Sequence, residues 1–205
     1  MTATDLPCAM TGLLLLTAAF CFVTPAFAVE PLLVDNFEGP AIQNTLGNRA
    51  NVFIRAPSRA MTSRRQETVN GKESQVLLLR FDKQEEGGPY GGGGWCGYYT
   101  LLKKGSEYLD ASQYSKISFW VRGEEGGEVF LMGVADRHWD EVGDSVKSEP
   151  IGKYLSGGKV TTEWQQANVP LDYFFVDRAK LSSVAFVFDT GAGAGTIYVD
   201  DLKLE

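Results

Sequence analysis

Along most of this chain apolar and polar residues alternate with a period of two, the spacing that sends every second side chain of a β-strand to one face. The clearest run is Lys116 to Gly123, where Ile117, Phe119 and Val121 fall on one face and Ser118, Trp120 and Arg122 on the other. Gln75 to Asp82 repeats it, with Gln75, Leu77, Leu79 and Phe81 alternating with Val76, Leu78, Arg80 and Asp82. Further strands are predicted over Leu32 to Phe37, Asn51 to Ala56, Gly97 to Lys103, Glu128 to Asp136, Trp164 to Leu171, Val184 to Phe188 and Gly195 to Glu205. Pro57 to Gly71, ending in the turn pair Asn70-Gly71, reads as a hairpin, and Asp110 to Tyr114 as one helical turn. Arg137 to Gly158 reads as a polar loop, and the glycines of EEGGPYGGGGW demand another. Short strands separated by turns, with no heptad and no long amphipathic helix, predict an all-β fold, a β-sandwich or jelly roll.

The closing stretch GTIYVDDLKLE carries two adjacent carboxylates. Strict alternation places Asp200 with Tyr198, Leu202 and Leu204, and Asp201 with Ile197, Val199 and Lys203. Asp200 is thus the carboxylate expected to be buried, which is costly without a cation or strong hydrogen bonds. The opening DNFEGP offers two more acids, Asp35 and Glu38, and no base. If the chain ends pair side by side, their oxygens are arranged for a hard cation, with calcium the natural choice. An exposed Asp-Asp at a strand end is the plainer alternative.

A chain of 205 residues is long enough for one domain with a sizeable core. Leu13 to Val23 is an apolar run followed by Ala26 and Ala28 in a signal-peptidase pattern, which predicts a leader over 1–28, a mature domain over 29–205 and a secreted or periplasmic location. Met1 to Gly12 lacks the Lys or Arg usual in such a leader. The apolar run is shorter than the roughly 18 residues of a membrane span. Cys8 and Cys21 fall in the leader, so Cys96 alone remains and no internal disulfide is expected; stability must come from core size or metal. A net charge of -7 repels phosphate backbones, which weighs against nucleic acid and anionic membrane surfaces as partners.

Sugars present apolar C–H faces ringed by hydroxyls, so their sites need exposed aromatic plates beside planar hydrogen-bonding groups. Trp120 and Arg122, with Arg80 and Asp82 close by, make a candidate floor. Trp95, Tyr98 and Tyr99 beside the glycine loop make a candidate wall, and His138 with Trp139 a rim. Packing is the alternative for each aromatic, less so for Trp95 and Trp139, which sit where no core strand requires them. Enzyme readings are thinner. Gly143-Asp144-Ser145 with His138 offers only fragments of a serine triad, the acids single out no glycosidase pair, and one His with Cys96 makes no zinc set.

In order, DNFEGP with Asn44-Thr45-Leu46-Gly47, LLLRFD, LDASQYSKISFWVRGEEGGEVFLMGVAD, TEWQQANVPLDYF and GTIYVDDLKLE resemble the β-jelly-roll carbohydrate-binding modules of the galactose-binding-like superfamily, family 11 nearest among them. The complex I intermediate-associated protein domain shares much of the pattern. The first resemblance implies a non-catalytic module that binds a polysaccharide or oligosaccharide across a concave face by stacking and hydrogen bonds, with a structural calcium. Carried over by position, Glu38 and Asp200 are its side-chain ligands and the Asn44 to Asn48 loop supplies carbonyls, with Asp35 beside them. The second resemblance implies a protein-binding assembly or scaffold domain.

Overall fold

The computed structural model describes residues 1, 29–88 and 91–205, so the leader expected over 1–28 lies, apart from Met1, outside the described residues. The chain runs β1 (Leu32–Asp35), β2 (Ala50–Ile54), β3 (Arg59–Val69), β4 (Lys72–Lys83), β5 (Cys96–Leu101), β6 (Lys116–Gly123), β7 (Leu131–Asp136), α1 (Arg137–Val142), β8 (Val146–Pro150), β9 (Gln165–Pro170), β10 (Leu181–Phe188) and β11 (Gly193–Leu204). Two antiparallel sheets face each other. The first has the order β3-β4-β11-β6-β9 with β1 beside β11, and the second the order β2-β5-β10-β7-β8. This is the expected β-sandwich.

The core lies between the sheets, and the alternation read from sequence decides who enters it. Leu77, Leu79 and Phe81 of β4, Ile117, Phe119 and Val121 of β6, and Ala167 and Val169 of β9 face Cys96 and Tyr98 of β5, Val184, Phe186 and Phe188 of β10, and Met132 and Val134 of β7. Phe81 stacks on Phe188 with ring centroids 3.8 Å apart, joining the two sheets. Phe186 is the hub, tilted against Phe119 at 5.2 Å and edge-on to Phe130 at 5.9 Å. Cys96, the one cysteine among the described residues, is a free thiol buried in this core, and burial pushes its pKa up.

Three expectations change. Pro57 to Gly71 is not a hairpin in itself: β3 is one long strand paired with β4 from Arg59↔Asp82 to Val69↔Lys72, and Asn70-Gly71 is the turn between them. The polar stretch from Arg137 contains α1 and β8, which its lack of apolar periodicity hides. Asp110 to Tyr114 is an isolated turn closed by Tyr114 N donating to Ala111 O at 3.0 Å, without a helix.

The closing strand also breaks strict alternation. Its register with β6 shifts between Asp200 and Lys203, and Asp201 adopts φ 51°, the left-handed value a bulge uses. The bulge adds one residue, so Ile197, Val199, Leu202 and Leu204 all face the core. Asp200 shares its outward face with Tyr198 and not with the two leucines. It is nevertheless buried, 3% exposed, as expected of the pair's inner member. The chain ends do pair, Leu32 with Leu204 and Leu33 with Lys203.

Because Phe186 joins aromatic side chains from both sheets, Phe186→Ala should cost about 3–5 kcal/mol, the range for a large buried aromatic. A urea titration checks this; a loss below about 1 kcal/mol would mean that the aromatic cluster is not what binds the sheets.

Candidate functional site

The outer faces of the two sheets differ in kind. On the second sheet the outward residues fall into three rows across the strands. Phe53, Gly97, Val187 and Leu131 form one, Asn51, Tyr99, Ala185, Gly133 and Lys147 the next, and Leu101, Ser183 and Ala135 the third. The middle of each row is small. A Cβ on Gly97 would lie 2.6 Å from the Phe53 ring, and one on Gly133 would lie 2.7 Å from Ser145 Oγ, so side chains close over bare backbone at both points. The result is a groove of about 690 Å³ walled by Phe53, Trp95, Tyr99 and Trp139.

Short-range chemistry fixes the walls. Asp136 caps α1 by accepting from Trp139 N at 3.1 Å, and its second oxygen accepts from Asp177 N at 2.7 Å. Gly143, at φ 79°, ends the helix with its N–H on Trp139 O. This short turn lifts Trp139 onto the rim. Asp140 anchors it below, paired with Lys103 and accepting from Ser182 Oγ at 2.9 Å and Tyr108 OH at 3.3 Å. Partial burial raises the pKa of Asp140, but the bonds from Lys103 and Ser182 outweigh it and hold the carboxyl below its usual range. Opposite, the guanidinium of Arg55 lies 4.2 Å from the centroid of Trp95, leaving the indole 41% exposed.

At the polar end Lys147 Nζ is 2.8 Å from Asp144 Oδ1 and 3.9 Å from Asp189 Oδ2. Lys147 and Asp189 line the groove and escaped the reading of the sequence, because a polar loop and a strand end give no periodic signal; Asp144, read only as part of Gly143-Asp144-Ser145, lines it with them. Ser145 lines it too, yet His138 does not, and no hydrogen bond joins them among the described residues.

The structure therefore divides the predicted sugar-binding set. Trp95, Tyr99 and Trp139 converge on the groove. His138 stands outside it, exposed and edge-on to Trp139 at 5.5 Å. Tyr98 is a core residue, 1% exposed, because it is one residue out of phase with Tyr99, and burial pushes its phenol up to about 12. Trp120, Arg122 and Arg80 belong to the first sheet and cannot floor a site walled by Trp95.

That outer face is a closed surface. Tyr198 is buried there with Val69 and Val76, against Leu78, Trp120 and Trp164. The guanidinium of Arg122 lies 3.7 Å from the Tyr198 ring centroid and its Nη2 is 3.0 Å from Glu67 Oε1. Arg65 reaches the same Glu67 oxygen at 3.0 Å and donates to Tyr198 OH at 3.1 Å. Exposed Arg80 lies on the same side of β4 as Leu78.

The predicted metal ligands do not converge as a set of four. Among the described residues no three acidic, His or Cys side chains gather at one point. Asn44 spends its side chain on structure, with Nδ2 donating to Thr100 Oγ1 at 2.7 Å and Leu101 O at 2.8 Å while Oδ1 accepts from Asn48 N at 2.9 Å. Asp35 is buried and accepts from Phe37 N at 2.9 Å through Oδ1. Burial raises its pKa, and Arg64 offsets part of that cost. Asp200 and Glu38 remain as neighbours. Glu38 accepts from Gln75 N at 2.8 Å and Ser74 Oγ at 3.2 Å. Burial pushes Asp200 up to about 6, with Ser74 opposing and the charges of Asp201 and Glu38 adding to the rise. Glu38 and Asp200 are hard oxygen donors that fit a calcium ion; Asp35 keeps Oδ2 buried with no hydrogen-bond partner among the described residues, while the side chain of Asn44 is already committed.

No curated protein matches the chain. Among solved structures it is similar to a family 11 carbohydrate-binding module from Clostridium thermocellum in complex with a β-1,3-1,4-mixed-linked tetrasaccharide (TM-score 0.62, 18% identity, 86% of this chain and 96% of that one). It is also similar to a family 30 module of a cellulosomal cellulase from Clostridium thermocellum (TM-score 0.52, 23% identity, 87% and 94%) and to a further family 30 module (TM-score 0.53, 25% identity, 70% and 73%). The family model described as carbohydrate binding domain 30 matches residues 41–205. With that match spanning most of its length, the chain belongs to the carbohydrate binding domain 30 family and is a carbohydrate-binding module.

Proposed function

We propose that the groove on the second sheet holds a polysaccharide chain, without chemistry, through stacking on Trp95, Tyr99 and Trp139 and hydrogen bonds to the polar residues between them. The observation that carries this reading is the contrast between the two outer faces. Both are rich in aromatic and charged side chains, but on the first sheet these bind each other, whereas on the second they line an open groove with an apolar floor. Stacking and bidentate polar contacts are what a glycan requires. Catalysis has little support: Ser145 has no histidine partner, and Asp140 and Asp144 are each held by a lysine. Export, expected from the leader, suits a ligand found outside the cell. A mixed-linked β-glucan, bound by the family 11 module above, is the first probe.

We further propose that Asp200 and Glu38 hold a structural calcium where the chain ends meet. The two residues would supply side-chain oxygens, and the ion would offset a buried negative charge.

Trp95→Ala and Trp139→Ala should each weaken binding of mixed-linked β-glucan tenfold or more in isothermal titration with unchanged thermal midpoints, and wild type should release no reducing ends. Trp120→Ala should keep its affinity and lose about 1–3 kcal/mol of stability, as expected for a partly buried aromatic. Loss of affinity in Trp120→Ala alone would move the site to the first sheet.

For the metal, the sign of the pH effect is informative. A carboxyl whose pKa is raised on folding from 3.8 to about 6 costs nothing when protonated, and its penalty grows as pH rises through that window. Above pH 6 the penalty is on the order of 3 kcal/mol without a cation. In chelator, Asp200→Asn should therefore raise the thermal midpoint at pH 7 and leave it nearly unchanged at pH 4. In calcium the wild type should gain at pH 7 and the variant should not. A wild-type melt indifferent to calcium would remove the ion from this account.

A further inference from the structure

Asp189 is the first residue after β10 and lines the groove on the face of Ser183, Ala185 and Val187. The last pair of β10 with β5 is Phe188↔Cys96, so Asp189 and Trp95 are the next residues along each strand and stand at the same end of the groove. The two oxygens of Asp189 are not equivalent. Oδ2 is 3.9 Å from Lys147 Nζ, whose closer partner is Asp144. Oδ1 is shielded from bulk solvent and has no hydrogen-bond partner among the described residues. An acceptor left unpaired in this way is a net cost to the fold, and a cost retained at a site is explained by what the site binds.

The indole beside it supplies the rest of a sugar site. Trp95 is backed by Arg55, which keeps the plate in place and leaves its surface available. A pyranose stacked on an indole carries its equatorial hydroxyls around the ring edge, so an acceptor at the border of the plate meets an O–H donor directly. We propose that Trp95 and Asp189 form one pyranose subsite, in which the ring stacks on the indole and a hydroxyl donates to the Asp189 carboxylate, turned about its Cβ–Cγ bond to present its unpaired oxygen to the groove. This deepens, and rests on, the assignment of the groove as the glycan face.

The subsite selects by chemistry. It requires a free hydroxyl, so an O-methylated sugar offers no donor. It also disfavours acidic sugars, because Asp144 and Asp189 share the one lysine Lys147 while Asp140 is already paired with Lys103. The ligand class is a neutral, unsubstituted glycan.

Titration of wild type, Asp189→Ala, Asp189→Asn and Trp139→Ala with the β-1,3-1,4-mixed-linked tetrasaccharide and its O-methylated counterpart tests this. Asp189→Ala should lose tenfold or more in affinity while its thermal midpoint stays level or rises, since removing an unpaired acceptor relieves a cost. Asp189→Asn, whose amide oxygen still accepts, should recover part of the affinity. The methylated probe should bind wild type and Asp189→Ala equally weakly. Wild-type affinity in Asp189→Ala, with Trp139→Ala impaired, overturns the subsite and leaves the groove standing. A lowered midpoint in Asp189→Ala overturns it in favour of a structural tie to Lys147. If wild type binds neither this tetrasaccharide nor the polymer, the groove reading and the subsite fall together.

Discussion

The sandwich depends on the main-chain pairing of β11. One side of this strand is paired with β6 from Ile197 to Leu204, while the other is paired first with β4, from Gly193 to Val199, and then with β1, from Leu202 to Leu204. The bulge falls where the partner changes. By adding one residue it lets Val199 and Leu202 both face the core, so the apolar face stays continuous across the junction. Asp200 is left in the gap between the end of one ladder and the start of the next, near Ser74 and Glu38. The position of its buried carboxylate is therefore a consequence of strand exchange, and a cation there would bind the N-terminal strand to the body of the first sheet.

The two outer faces start from similar ingredients and arrive at opposite results. On the first sheet long strands place Arg65, Glu67, Arg122 and Tyr198 within mutual reach, and planar cations stacked on a phenol ring leave little polar capacity for a ligand. On the second sheet Ala135, Ser183 and Ala185 occupy the centre with aromatics at the margin, and the surface between them is an open groove. The first sheet closes its outer face on itself, and the second leaves its outer face open.

Much of this was legible in the sequence, for a physical reason. Strand patterning depends on one variable, the side to which each residue points, and β4, β6 and β9 follow it without interruption. Trp95 and Trp139 stood out as aromatics in segments that no core required, and both line the groove. The failures have a common cause: the sequence carries face but not neighbourhood. Trp120 and Arg122 lie on the other sheet from Tyr99, so the residues read together do not share one surface. Tyr98 and Tyr99 differ by one position and so by the whole thickness of the sheet. The bulge gave no warning, since Asp201 is an ordinary residue in a left-handed conformation. Asp189 and Lys147 become meaningful only when the strand order brings β8 and β10 to either side of β7.

The short side chains on the floor of the groove have a consequence for how the proposed glycan site would grip. Ala135 and Ala185 have no rotamers, and Ser183 and Val187 have one heavy-atom side-chain torsion each, so this floor would lose little conformational freedom when covered. The same rigidity removes any means of adjustment. A floor of short side chains on a hydrogen-bonded sheet cannot swing aside for a sugar of another shape, so a glycan site there would adapt to new ligands by replacement of residues over generations and not by movement within one molecule.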